Sequence, residues 1–411
     1  MRLRPTLAFA LILSVQSIRA EDWPQWRGPR RDGISRETGL LKVWPSGGPR
    51  VLWKASGLGS GYSSVAVAAG KIFTSGDTGG ASRVLAFDLN GKPLWAVSAG
   101  QPGAVGWGDF EGPRSTPTAD GDLVFNLTQW GDLVCVESKS GHEVWRKSFE
   151  KDFGASRPEW GFSESPLVDG QHLLCTPGGS RGALVALDKT TGAVLWRTAD
   201  LTDIAAYSSL IPATINGVRQ FVQLTDAHVV GVSPEGKILW SAKRRGATAV
   251  IPTPVVRDNF VYVTSGYGIG SHLFQITGQG PFSAEQVYAS PAMVNHHGGV
   301  VLLGNSIYGY SDGKGWACQD FKTGQMKWSD KEKMGKGSIV AVDGRLILRA
   351  EEGKGTVALI EASESGYREI SRFDPPNRSD KNSWPHPVVA GGRLYLRDQD
   401  TLTCFDLSAA P

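Results

Sequence analysis

The chain has 411 residues, with 40% hydrophobic and 20% charged residues and 52 Gly, 14 Trp and 4 Cys. That is enough apolar content for a large core, and it excludes a disordered chain. The formal charge is only +3, with no basic stripe, so the chain has no electrostatic footprint for nucleic acid.

Residues 1–20 read as a cleaved secretory leader. Arg2 and Arg4 form a basic start, Leu7 to Val15 is almost wholly apolar, and Ala20 offers a small residue before Glu21. The apolar run is too short to cross a bilayer. No Cys follows the cleavage point, so no lipid attachment is expected. Without Arg2, Arg4 and Arg19, the 43 Lys and Arg fall to 40, level with the 40 Asp and Glu. The mature chain is therefore formally neutral and its mildly basic pI carries no functional message.

Residues 21–49 form an arm with Trp23, Trp26 and Trp44 beside Arg27, Arg30 and Arg31. Trp and Arg dominate interface hot spots, so the arm suits a partner. Folding back across one face, with indoles buried and arginines on aromatics, suits it better, because exposed indoles invite aggregation.

From residue 50 to 408 the chain repeats. Alternating apolar stretches break at Gly70, Gly121, Gly170, Gly217, Asn259, Gly304-Asn305, Gly344 and Gly391-Gly392. Gly and Asn suit tight hairpins that need positive φ. Second hairpins follow at Gly91, Gly141, Gly192, Gly236, Gly280, Gly324 and Gly366. A short repeat of strands cannot bury its own apolar face, so it must stack on copies of itself. The fold class predicted is all-β: an eight-bladed propeller of four-stranded antiparallel blades. The eighth blade runs out at Leu407 without a fourth strand, and Val51-Leu52-Trp53-Lys54 has the look of a fourth strand with no third before it. The N-terminal strand should pair with the last blade and close the ring, sparing the molecule an open sheet edge.

Trp53, Trp95, Trp145, Trp196, Trp240 and Trp328 each follow a Gly turn at the start of an outer strand, where an indole can wedge between blades. Tyr288 and Phe373 replace Trp in blades five and seven. Cys135, Cys318 and Cys404 share one repeat slot with Ala86 and Ala186. A slot that takes Ala or Cys is small and buried, and equivalent slots of different blades lie beyond disulfide reach.

The run Ala186-Leu187-Asp188-Lys189-Thr190-Thr191-Gly192-Ala193-Val194-Leu195-Trp196 resembles the repeat of the pyrroloquinoline-quinone (PQQ) propeller superfamily. That superfamily holds quinoprotein alcohol dehydrogenases and cofactor-free members that help assemble outer-membrane proteins. Trp23-Pro24-Gln25-Trp26-Arg27-Gly28-Pro29, Gly112-Pro113-Arg114-Ser115-Thr116-Pro117, Asn295-His296-His297-Gly298-Gly299 and Arg397-Asp398-Gln399-Asp400 are similar to exported bacterial PQQ-binding-like β-propeller repeat proteins. The resemblance implies the fold; the dehydrogenase label travels with the repeat and is not itself evidence of catalysis.

Ligand sites of propellers sit where the segments leading into the innermost strands converge. At that register stand Arg114, Glu164, Tyr207, Asn295, His296, His297, Lys336, Trp384 and His386, with Trp107 and Trp160 on the loops before them. Arg397 belongs to the motif-bearing set. These twelve are the candidate ligand-binding residues; no catalytic residue is assigned. A solvated channel would also carry Ser and Thr there. Adjacent His296 and His297 on a regular strand face opposite ways, and no His-Glu-x-x-His or Cys-x-x-Cys exists, so no metal site is expected. Nor is there a Gly-x-Ser-x-Gly elbow.

The resemblance implies PQQ with Ca2+ as the cofactor to test. Arg114, Lys336 and Arg397 would supply cations, Trp107, Trp160 or Trp384 an aromatic floor, and Glu164 with Asn295 metal oxygens. Against it stand the missing vicinal Cys pair, the missing haem domain and a shorter chain. The expected function is a periplasmic or secreted binding or scaffolding module, without catalysis, working through the channel mouth. Its partner would be a small molecule or a cell-envelope protein, and the protein a monomer with no transmembrane segment after cleavage. The alternative is a PQQ- or metal-dependent oxidoreductase acting on an alcohol or sugar.

Overall fold

The computed structural model describes residues 21–376 and 378–409. The leader expected at residues 1–20 lies outside the described residues. Eight antiparallel sheets follow one another around a central channel, seven of four strands and one of five. Blade one, for example, runs Ala66–Ala68, Lys71–Thr78, Ala81–Asp88 and Pro93–Gly100 from channel to rim. Each blade buries both faces against its neighbours, and the shared core runs between them.

The last blade is built from both ends of the domain. Val388–Ala390, Arg393–Asp398 and Thr401–Asp406 supply three strands, and Val51–Ala55 pairs antiparallel with the third as the fourth. The predicted ring closure is present.

Most first hairpins turn at the glycines read from the sequence, with φ of 75° at Gly70, 59° at Gly121 and 81° at Gly217. In blade five the left-handed residue is Asp258 (φ 55°), one position before the expected Asn259. Asp also tolerates that region, because its short side chain can bond locally.

The Trp pattern is a joint between blades. In five outer strands the indole stands opposite a small residue of the third strand: Trp95 pairs with Ala86, Trp145 with Cys135, Trp196 with Ala186, Trp328 with Cys318 and Trp53 with Cys404. All five small residues are fully buried, which explains why Ala or Cys stands opposite these indoles; Gly231 takes the slot opposite Trp240. The indoles of Trp53, Trp95, Trp145 and Trp196 then lie over the second-hairpin glycine of the next blade, while Trp328 meets that turn through its bond to Ser363 O at 2.8 Å. A Cβ on Gly91 would sit 2.5 Å from Trp53, and one on Gly192 would sit 2.8 Å from Trp145. The Trp53 and Trp145 Nε1–H groups donate to Leu89 and Lys189 carbonyls of those turns at 2.8 and 3.0 Å. Tyr288 performs the same role toward Gly324, donating its hydroxyl to Phe321 O at 2.9 Å.

Two joints differ. Trp240 turns back onto its own blade, donating to Gln220 Oε1 at 2.5 Å. Phe373 has no hairpin ahead of it, because blade eight is assembled from two chain segments. Gly48 and the Trp44 ring, 5.4 Å away, take the place of that turn.

The arm does not lie across a face; it enters the channel. Trp23 exchanges both backbone hydrogen bonds with Val67 of blade one at 2.8 Å, and Pro24 O accepts from Ala119 of blade two. The Arg31 guanidinium, 1% exposed, donates to Ser165 O at 3.1 Å and Pro166 O in blade three and to Leu210 O at 2.8 Å in blade four. Trp26 reaches Thr253 ahead of blade five, and Arg27 donates to Val300 O in blade six. Ile34–Ser35 adds a parallel fifth strand to Ala341–Val342 of blade seven. The Glu37 carboxylate accepts from the amides of Gly391 and Gly392 in blade eight, the latter at 2.8 Å. One short segment therefore bonds to every blade. Its arginines meet carbonyls, because inner strands near the axis leave acceptors with no strand beyond them.

Candidate functional site

The segments leading into the inner strands converge at one end of the channel around a cavity of about 340 Å3. Trp26 of the plug forms its floor. The ring is held by the 2.9 Å bond from Nε1 to Thr253 Oγ1 and by His386, 4.6 Å away between centroids. The cavity is thus a cup with a protein base.

Its walls are mostly aromatic. Tyr62 and Phe110 pack against Trp384 at centroid distances of 4.5 and 5.0 Å. Beyond Arg114, Trp107 meets Trp160 edge-on at 5.7 Å, and Trp160 meets Tyr207 at 6.1 Å. Trp107 stands on the lip, 65% exposed, between Gly106 and Gly108 with φ of 77° and 89°. Those glycines let the backbone make the sharp loop that presents the indole.

One wall is polar. The Glu351 carboxylate lies 2.5 Å from His297 Nε2 and accepts from Trp384 Nε1 at 3.0 Å. His297 and His296 approach at 3.3 Å between their Nδ1 atoms, and Lys336 Nζ lies 2.8 Å from His296 Nδ1 while pairing with Asp312 at 2.9 Å. His296 Nε2 lies 3.1 Å from the Tyr267 hydroxyl. Burial, reinforced by the charges of His297 and Lys336, pushes His296 down to about 3. Burial opposes ionisation of Glu351, but His297, Lys336 and His296 outweigh it and hold the carboxyl below its ordinary range. His386 is also pushed down to about 3, by burial and then by Arg27, and its Nε2 donates to His297 O at 3.0 Å. Both low-pKa imidazoles are neutral hydrogen-bonding groups at pH 7.

The cup gathers eight of the twelve sequence candidates: Trp107, Arg114, Trp160, Tyr207, His296, His297, Trp384 and His386. The other four do not line it. Glu164 turns inward to the Thr176 amide and lies 3.4 Å from Gln223 Nε2. Asn295 donates to the carbonyls of Gly299 and Tyr310 at 3.0 and 2.9 Å. Lys336 stands behind His296. Arg397, 1% exposed, ties blade eight to blade one through Ser63 O, Ser75 O and Thr74 Oγ1. Successive residues of an extended strand face opposite ways, so register alone does not place a side chain in the cup. The sequence reading missed Trp26, Phe110 and Tyr267. The dense aromatic run around Trp26 was the one signal available; Phe110 and Tyr267 sit on irregular loops that no period predicts.

The family model described as outer membrane protein assembly factor BamB, PQQ_2, matches residues 80–330. The chain belongs to the PQQ_2 family. Among solved structures it is similar to BamB from Moraxella catarrhalis, with a TM-score of 0.60 and 15% identity over 85% of this chain and 95% of that one. It is equally similar to the quinohemoprotein alcohol dehydrogenase from Comamonas testosteroni, with a TM-score of 0.61 and 12% identity over 95% and 81% of the two chains. A europium-containing methanol dehydrogenase gives a TM-score of 0.63 at 11% identity over 92% and 89%. No curated protein matches the sequence. At such identities these likenesses show the propeller fold alone and leave the chemistry to the site.

The residues of this PQQ_2 propeller do not fit a calcium-held quinone tricarboxylate. Arg114 lines the cup, but its two terminal nitrogens donate to Trp160 O and Phe110 O at 2.8 and 3.0 Å. Lys336 is paired with Asp312, and Arg397 is bonded to carbonyls away from the cavity. The oxygens proposed for a metal, on Glu164 and Asn295, do not line the cup. Among the described residues no cluster of three or more His, Cys, Asp or Glu could hold a metal ion. All four cysteines are buried thiols, and none is vicinal to another. No helix among the described residues is long and apolar enough to cross a membrane.

Proposed function

We propose that this protein is an exported binding module of the cell envelope, and that its ligand or partner inserts into the aromatic cup at the channel mouth. One observation carries the reading: a floored cavity lined by eight aromatic rings with a few converging polar groups. That combination is what small-ligand sites share, since apolar walls supply affinity and fixed polar atoms supply orientation. The plug favours capture over conduction, because it puts Trp26 across the base. The family description, an outer membrane assembly factor, supports an envelope setting and a scaffolding partner. The donor set described above gives the oxidoreductase alternative no specific support.

The test uses the full mature chain and a double variant, Trp107→Ala with Trp160→Ala. A neutral small-molecule library is screened by thermal shift, and hits are titrated by quenching of indole fluorescence. Hits should lose at least tenfold in affinity in the variant while its unliganded melting temperature stays within a few degrees. Ligands that bind both proteins equally would move the binding surface away from the cup.

A further inference from the structure

We infer that the ligand is a neutral carbohydrate, a mono- or disaccharide unit whose ring face stacks on the Trp160 side of the cup and whose hydroxyls meet Tyr207 and Tyr267. The inference rests on the cup being the binding site.

The first argument is charge. Lys336 and Glu351 are answered from within the protein, while Arg114 is a cation of the lining with no acid partner among the described residues. Arg114 donates to two carbonyls, Lys336 pairs with Asp312, and Glu351 lies against His297 and Trp384 Nε1. His296 and His386 are neutral. The Arg114 charge repels a quaternary ammonium that the aromatic walls would otherwise suit, and its unused N–H groups can donate to a hydroxyl or ring oxygen.

The second argument is the hydroxyl inventory. Lys336 has only protons to give, so its contact makes His296 Nδ1 an acceptor. The single proton of neutral His296 then sits on Nε2 and is donated to the Tyr267 oxygen, 3.1 Å away. This leaves the Tyr267 O–H free to donate into the cavity. Tyr207 is in the same state: its oxygen accepts from the Trp160 amide at 3.3 Å, and its proton remains free. Two free phenolic donors therefore line the cup, that of Tyr207 beside the Trp160 ring.

The third argument is shape. A sugar ring has a C–H face and a hydroxyl edge. An indole face satisfies the former by dispersion and by attraction of C–H dipoles to its π-cloud, and the phenols satisfy the latter. The cavity, about 340 Å3, is at the small end for ligand pockets and suits a sugar unit better than a large apolar molecule. A fully apolar ligand would leave the Tyr207 and Tyr267 donors desolvated and unpaired, a cost that a polyol avoids.

The experiment titrates the mature protein with cellobiose, maltose and N,N′-diacetylchitobiose, and separately with choline and N-phenyl-1-naphthylamine as an apolar probe. At least one sugar should quench indole fluorescence and saturate below about 10 mM. The double variant Tyr207→Phe with Tyr267→Phe keeps the rings and removes the hydroxyls. It should weaken sugar binding about tenfold and leave any binding of the apolar probe unchanged. If no sugar saturates and the apolar probe or choline binds in a manner sensitive to Trp107→Ala with Trp160→Ala, the carbohydrate inference falls and the cup stands. If nothing senses those two indoles, both fall. A sugar that binds the Tyr→Phe pair as tightly as the native protein also overturns the assignment of the hydroxyls.

Discussion

Glu164 shows what a conspicuous acid at an inner-strand register does when it turns inward. Burial pushes its carboxyl up to about 7, working against the Thr176 amide and hydroxyl and the charge of Arg31. A carboxyl whose folded pKa exceeds its unfolded one costs nothing below the unfolded value of 4.5 and progressively more as pH climbs to about 7. Glu164→Gln should remove that penalty. Its melting temperature relative to native should be higher at pH 8 than at pH 4.5, as differential scanning calorimetry would show. A flat offset would mean that folding does not shift Glu164, and one that runs the other way would mean that the fold favours its carboxylate. The same residue illustrates a limit of the sequence. Residue type and register were visible, but Glu164, Asn295 and Arg397 end on backbone groups of nearby or adjacent blades, partners that no local pattern names. His296, by contrast, was legible as a mouth residue, while its tautomer depends on Lys336 forty positions away.

At the scale of the element, the blade joint makes a separable prediction. Gly192 and Gly170 both sit at positive φ, 71° and 62°, but only Gly192 lies under an indole. A Cβ there meets Trp145, whereas one on Gly170 meets nothing within 4 Å. Gly170→Ala should cost only the backbone strain, about 1–2 kcal/mol. Gly192→Ala should cost roughly 1–3 kcal/mol more, because the ring must move or the joint must open. Urea denaturation of both variants measures the difference, and equal costs would mean that the indole is not clamped. Blades were the most legible part of the chain because their signals are local: a turn glycine, an alternating strand, a Trp opposite a small residue. The exceptions mark where locality ends. Trp240 carries the same signal but is captured by Gln220 of its own blade, and the turn facing Phe373 is built from Gly48, far away in sequence.

For the whole molecule the plug governs cooperativity. Open arrays of repeats tend to unfold piecemeal, since each unit contacts only its neighbours. Here residues 23–41 bond to all eight blades, so no blade can leave without breaking the hub. Calorimetry of the chain from residue 21 should show a single transition. Deleting residues through Val43 should lower the melting temperature and broaden or split that transition, although Val51–Ala55 remains to close the ring. An unchanged, single transition would show that ring closure alone couples the blades. The hub was not legible in the sequence beyond its composition, because the meaning of Arg31 lies in carbonyls 134 and 179 positions away.

The order of synthesis meets the order of assembly at this hub. The stretch made early in translation has its binding partners distributed over everything made afterwards, and Val51–Ala55 must wait for Thr401–Asp406 before it can pair. A chain cut short anywhere in the last blade would therefore present a loose front end with exposed indoles, recognisable to a protease as unfinished. Locking of the native state is in effect a check that the last blade has been made.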